Sequence, residues 1–125
     1  MADIATSPSK LQRQVAKALD DLGCAHDFET RLPDGLSVDM RLRGEEQRHI
    51  VIEVDGPSHY LRRVGAGAAD THAENGTTRF KHRLMRAMGY HVVQVPYFEW
   101  GVRSAESRAL FMRERIAEST APASS

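Results

Sequence analysis

Four shortages in this sequence narrow the classes of protein it fits. Its unbroken apolar runs are only a few residues long, against the ~20 needed for a helix to span a bilayer. Neither a transmembrane helix nor a membrane partner is therefore expected. There is one cysteine, Cys24, which excludes an internal disulfide framework and a cysteine-based zinc cluster. Cys24 follows a helix end rather than preceding a helix start, and no base sits beside it, so it reads as a small core residue. Net charge is also lacking, because 17 Lys plus Arg balance 17 Asp plus Glu. Taken as a bulk property, zero charge speaks against a nucleic-acid-binding domain. The last shortage is lysine, which supplies only 3 of the 17 basic residues. The guanidinium groups that replace it bind phosphate bidentately and stack on bases.

What remains is the composition of one soluble globular domain: 125 residues, 41% hydrophobic and 27% charged. Residues 1–6 and 119–125 are small and polar and read as disordered ends around a domain over 7–118. The start carries neither the apolar core of a signal peptide nor the pattern of a transit peptide. The sequence thus fits a cytosolic chain or a domain of a longer precursor.

Hydrophobic spacing predicts the elements. Ser7 and Pro8 open a first helix in which Leu11, Val15, Leu19 and Leu22 share a face, and Gly23 closes it. A strand over Cys24–Leu32, a Pro33-Asp34-Gly35 turn and a second, alternating strand over Leu36–Leu42 follow. Ile50-Val51-Ile52-Glu53-Val54 is β-branched and nearly all apolar, so it predicts a central strand buried on both faces. The polar, Gly/Ala-rich stretch from Ser58 to Gly76 predicts a long functional or mobile connection. Thr77 or Thr78 caps a helix lined by Phe80, Leu84, Ala87 and Met88; a strand over Tyr90–Val95 and a helix over Ser104–Glu118 complete the chain. In that last helix Ala105, Leu110, Phe111 and Ile116 offer the apolar side. The order α-β-β-β-α-β-α, with a helical crossover before the last strand, predicts an α/β fold with a mixed four-stranded sheet flanked by helices.

Glu53 interrupts the buried strand, where a carboxylate needs a partner. Asp55 shares its face, and Asp39 meets both if the second and third strands pair as a hairpin. Converging carboxylates suit Mg²⁺; equally, each acid can pair with a nearby base such as Arg41, Arg62 or Arg63. His59, just past the Gly56-Pro57 turn, is placed to contact phosphate, ligate a metal or move a proton, or simply to bond within its loop. His82 and His91 fit a solvated helix face and a sheet edge. Between Tyr60 and His91 six basic residues, Arg62, Arg63, Arg79, Lys81, Arg83 and Arg86, stand against Asp70 and Glu74. The helical four form either a solvated face or a basic surface for phosphates. Tyr97, Phe98 and Trp100 either pack the last helix on the sheet, as expected above all for Trp100, or stack on bases.

These motifs occur together in one order: Ile52-Glu53-Val54-Asp55-Gly56-Pro57-Ser58-His59-Tyr60, then Asn75-Gly76-Thr77-Thr78 with Lys81 and Leu84, then Gly89-Tyr90 and Val95-Pro96-Tyr97-Phe98-Glu99-Trp100. In that order they closely resemble the RAP domain, a module of mitochondrial and chloroplast proteins that handle RNA. Leu11, Val15 and Leu19 and the Ser37-Val38-Asp39 segment extend the likeness. The RAP domain is in turn similar to the PD-(D/E)xK nucleases, among them the very-short-patch-repair endonucleases, whose restriction-endonuclease-like core has the same element order. By that resemblance Asp39 stands for the first acid and Glu53-Val54-Asp55 for the (D/E)xK strand, with Asp55 in the lysine position. An aspartate there adds charge where a lysine would offset it, so hydrolysis requires His59 or Lys81 to substitute.

The resemblance implies an RNA-binding module in a mitochondrion or chloroplast, acting in rRNA or mRNA processing, RNA stability or ribosome assembly beside ribosomal or processing proteins. His59, Arg62, Arg63, Arg79, Lys81, Arg83 and Arg86 would contact the RNA. The alternative is a Mg²⁺-dependent endonuclease with Asp39, Glu53 and Asp55 as metal ligands and His59 or Lys81 assisting. A third reading is a docking domain in a ribonucleoprotein.

Overall fold

The computed structural model describes residues 9–56, 60–63, 71–74, 76–100 and 103–121. Helix α1 covers Lys10–Asp21 and is capped by Ser9 rather than Ser7. The Ser9 hydroxyl accepts from the Gln12 N–H at 3.1 Å while the Gln12 side chain accepts from the Ser9 N–H at 3.0 Å. This reciprocal box satisfies two amide hydrogens at the helix start, which is why the boundary lies there. At the other end Gly23 has φ 73° and ends the helix as its sequence position predicts.

Strands β1 (His26–Arg31) and β2 (Ser37–Leu42) form an antiparallel hairpin. In its turn the Leu32 N–H donates to the Leu36 carbonyl at 2.7 Å, and Gly35 sits at φ 95°. Strand β3 (Ile50–Asp55) is buried at every position and pairs antiparallel with β2. The chain then makes a second hairpin, β4 (Tyr60–Arg63) with β5 (Thr71–Glu74), apart from the main sheet. The long connection predicted from Ser58 to Gly76 thus contains paired strands; its segments are polar and carry no apolar stripe to announce them. Helix α2 (Gly76–Ala87) crosses over to β6 (His91–Pro96), which runs parallel to β3. A single turn, α3 (Tyr97–Trp100), leads to α4 (Ala105–Thr120).

The main sheet has the order β1-β2-β3-β6, mixed and four-stranded, with β3 inside and β6 at an edge. One face, with Met40, Ile52, Val54 and Val93, packs against Val15 and Leu19 of α1 and Phe111 and Met112 of α4. Trp100 joins this core: its ring lies edge-on to Phe111 at 5.8 Å, and its indole N–H donates to Gln14 Oε1 at 3.0 Å. Trp100 is therefore packing, as expected, whereas Phe98 is exposed. Leu110, expected inside, is exposed, and Met112 takes the inward position of α4. The other sheet face packs Val51 and Val92 against Met85 of α2. Among the described residues, no helix is long and apolar enough to cross a membrane.

Candidate nucleic-acid interface

Alternation along β3 sends Ile50, Ile52 and Val54 to the α1–α4 face and Val51, Glu53 and Asp55 toward α2. The surface on which α2 packs is thus apolar at Val51 and acidic at the next two positions. A helix covering it must supply polar partners, because unpaired buried carboxylates cost several kcal/mol, roughly 3–5 when a partner is removed.

The sequence predicts that Phe80, Leu84, Ala87 and Met88 face inward. The structure bears this out for Met88, which packs against the core under α2, and corrects it for the other three. The buried positions of α2 are Thr78, His82 and Met85, while Phe80 and Leu84 are exposed. His82, expected on a solvated face, is 1% exposed and its Nε2 lies 3.9 Å from Asp55 Oδ2. Lys81, expected on the outer basic surface, instead reaches the sheet and places Nζ 2.5 Å from Glu53 Oε1. The phase of the helix follows the charges beneath it rather than its own largest apolar residues.

Asp39 and Glu53 converge. The β2–β3 ladder ends at Met40–Ile52, and beyond it the two carboxylates connect the strands. The Asp39 N–H donates to Glu53 Oε2 at 3.0 Å, and the Val54 N–H donates to Asp39 Oδ2 at 2.7 Å. The Gln12 side chain donates to Asp39 Oδ1 at 3.0 Å, tying α1 to the same point. Local backbone geometry contributes. Glu29, which would lie opposite Asp39, has φ 44° and drops out of the β1–β2 register. Either side of this break, Val38 joins the core under α2 and Met40 the core under α1.

Burial, and then the neighbouring Asp39 charge, push the Glu53 carboxyl up to about 7; the Lys81 ammonium and the Asp39 N–H act in the opposite direction. A Mg²⁺ ion does not fit this arrangement as it stands. All four oxygens of Asp39 and Glu53 already accept from protein donors. Asp55 is directed to His82. Among the described residues, no group of three or more His, Cys, Asp or Glu is placed to hold a metal.

The remaining sequence-predicted residues separate into two groups. Arg79, Arg83 and Arg86 are exposed along one side of α2, and Arg86 donates to Gln94 Oε1 at 3.0 Å. Arg62 and Arg63 lie on β4, opposite His72 and Thr71; their side chains, like all of His59, lie outside the described residues. Three arginines near α4 are occupied structurally, and Arg113 is exposed: Arg103 and Arg115 cover the Phe111 ring, Arg108 covers Trp100, and Arg115 also pairs with Glu99. Among the described residues, Arg79 and Arg83 make no ion pair or side-chain hydrogen bond. Two members of the site, Gln12 and His82, are not among the site residues that the sequence predicts. The spacing of Thr78, His82 and Met85 carried the signal for His82, a helical stripe suited to an acid-bearing sheet face.

Comparison with known proteins converges on one family. The RAP domain model matches residues 52–115, from within β3 through most of α4. A RAP domain-containing protein, chloroplastic, from Oryza sativa subsp. japonica is 32% identical over 108 residues, or 86% of this chain. The chain spans 15% of the length of that relative.

Proposed function

Because the chain belongs to the RAP domain family, we propose that it is an RNA-binding module that contacts phosphates through the outward side of α2. The observation that carries this reading is the exposed row of Arg79, Arg83 and Arg86, inside the segment that the family model matches. Arginines recurring at this spacing on one helix side present guanidiniums to successive phosphates, and among the described residues none of the three is paired with an acid. Zero net charge is compatible with this role, because the acids Asp39, Glu53 and Asp55 are held at or within the sheet. We extend the proposal to organellar RNA, in processing, stability or ribosome assembly; the support is the relative whose name includes the word chloroplastic.

The endonuclease alternative has one observation in its favour: Lys81 brings a lysine to the Asp39–Glu53 pair from a different element. With every oxygen of that pair engaged, we read it as a cross-link that sets the position of α2.

One experiment tests both readings. A labelled RNA titrated with the chain is expected to bind with an affinity that falls linearly in log salt, and to remain full-length with Mg²⁺ or with chelator. Absence of RNA binding even at low salt would leave the docking role instead. Mg²⁺-dependent cleavage that disappears in both Asp39→Asn and Glu53→Gln would overturn the binding-only account.

A further inference from the structure

The outward face of α2 is not uniformly polar. Phe80 is 60% exposed and Leu84, one turn on, is 37% exposed. Neither is needed inward, where Thr78, His82 and Met85 fill the contact with the sheet. By helical position this apolar pair lies between the Arg79, Arg83 and Arg86 side and Lys81, which is held by Glu53. An aromatic ring is thus presented to solvent beside a row of guanidiniums.

Such a surface matches unpaired nucleic acid better than a duplex. A base freed from its stack can lie on the ring while neighbouring phosphates meet the arginines. In a duplex the base faces are already covered, and recognition relies on backbone and groove shape. An acidic amphipathic protein helix has complementary charge as well, but one aromatic and one half-exposed leucine make a small anchor for a protein interface.

We propose that this face of α2 is a platform for single-stranded RNA, in which Phe80 stacks on an unpaired base and Arg79 and Arg83 hold adjacent phosphates. The inference rests on the RNA-binding function proposed above and adds the class of RNA selected.

The test compares an unstructured RNA of about 20 nucleotides, long enough for one binding site, with a duplex of equal length. Wild-type chain, Phe80→Ala and Phe80→Trp are used, each checked for folding by circular dichroism. Wild type is expected to bind the single strand at least about tenfold more tightly than the duplex. Phe80→Ala is expected to lose about five- to a hundredfold in single-strand affinity, with its salt slope and duplex affinity unchanged. Phe80→Trp, which keeps a stacking face, should retain the wild-type preference. Equal binding of both RNAs, with Phe80→Ala unaltered, overturns the platform and leaves RNA binding standing. Failure of wild type to bind either RNA overturns both. If Phe80→Ala abolishes binding of an acidic amphipathic peptide while RNA affinity is unmoved, the face belongs to a protein partner and the inference fails.

Discussion

Replacing Lys81 with methionine is expected to lower stability by about 2–3 kcal/mol at pH 8, with most of that loss recovered near pH 5. The substitution keeps the aliphatic stem and removes the cation 2.5 Å from a carboxylate whose side chain is 5% exposed. Removing one partner of a buried pair typically costs ~3–5 kcal/mol. The lower figure applies because the Lys81 side chain is 34% exposed and water reaches it. The pH dependence follows from Glu53, whose carboxyl is raised from 4.5 to about 7 in the fold. Between those values the folded state holds a proton that the unfolded state has released, so stability falls as pH rises through this window. The loss is complete above about 7 and absent below 4.5. Without Lys81 the ionised form is penalised further, so the variant suffers most where Glu53 is charged. Adding Glu53→Gln to Lys81→Met should restore most of the stability at pH 8, because a neutral amide needs no counter-ion and can still accept from the Asp39 N–H. Urea midpoints at the two pH values measure all of this. Equal losses at both, without rescue by glutamine, would mean that Lys81 acts through packing alone.

The opposite signature is expected when Arg79, Arg83 and Arg86 are all changed to alanine. Their side chains are exposed, and only Arg86 has a described partner, Gln94; the fold should change in stability by about 0.5 kcal/mol or less per site. RNA affinity, however, should fall roughly ten- to a hundredfold near 0.1 M salt. The slope of log affinity against log salt should shrink by about 2, from three lost contacts at ~0.7 each on a single strand. Lysine at the same three positions should keep most of the slope and lose part of the affinity, since a point charge cannot grip phosphate bidentately. The two variants therefore separate the inward and outward sides of one helix. Lys81→Met changes stability with little effect on the salt slope, and the triple variant does the reverse.

That division of α2 marks where the sequence was legible and where it was not. The alternation of Val38, Met40 and Leu42 and the apolar run at Ile50 implied the paired central strands. The presence of Glu53 within that run pointed to the meeting with Asp39. The rotation of α2 was hidden, because counting apolar residues assumes that a helix packs on an apolar surface. Here the wall opposite carries Glu53 and Asp55, so His82 and Lys81 turn inward and Phe80 turns out. Gln12 was hidden for a related reason. Its side chain serves both the Ser9 cap and Asp39, and the second role depends on how α1 lies over the sheet. The β4–β5 hairpin pairs polar segments through their backbones, and nothing in hydrophobic spacing registers it.

The outward side of α2 is expected to receive RNA, while its inward side is committed to the sheet. Amide chemical-shift mapping of the isotopically labelled chain, titrated with a short single-stranded RNA, tests this most directly. The largest shifts are expected at Arg79, Phe80, Arg83, Leu84 and Arg86, with Val15, Leu19 and Met112 in the opposite core unmoved. Shifts concentrated on α1 and α4, with α2 silent, would contradict it.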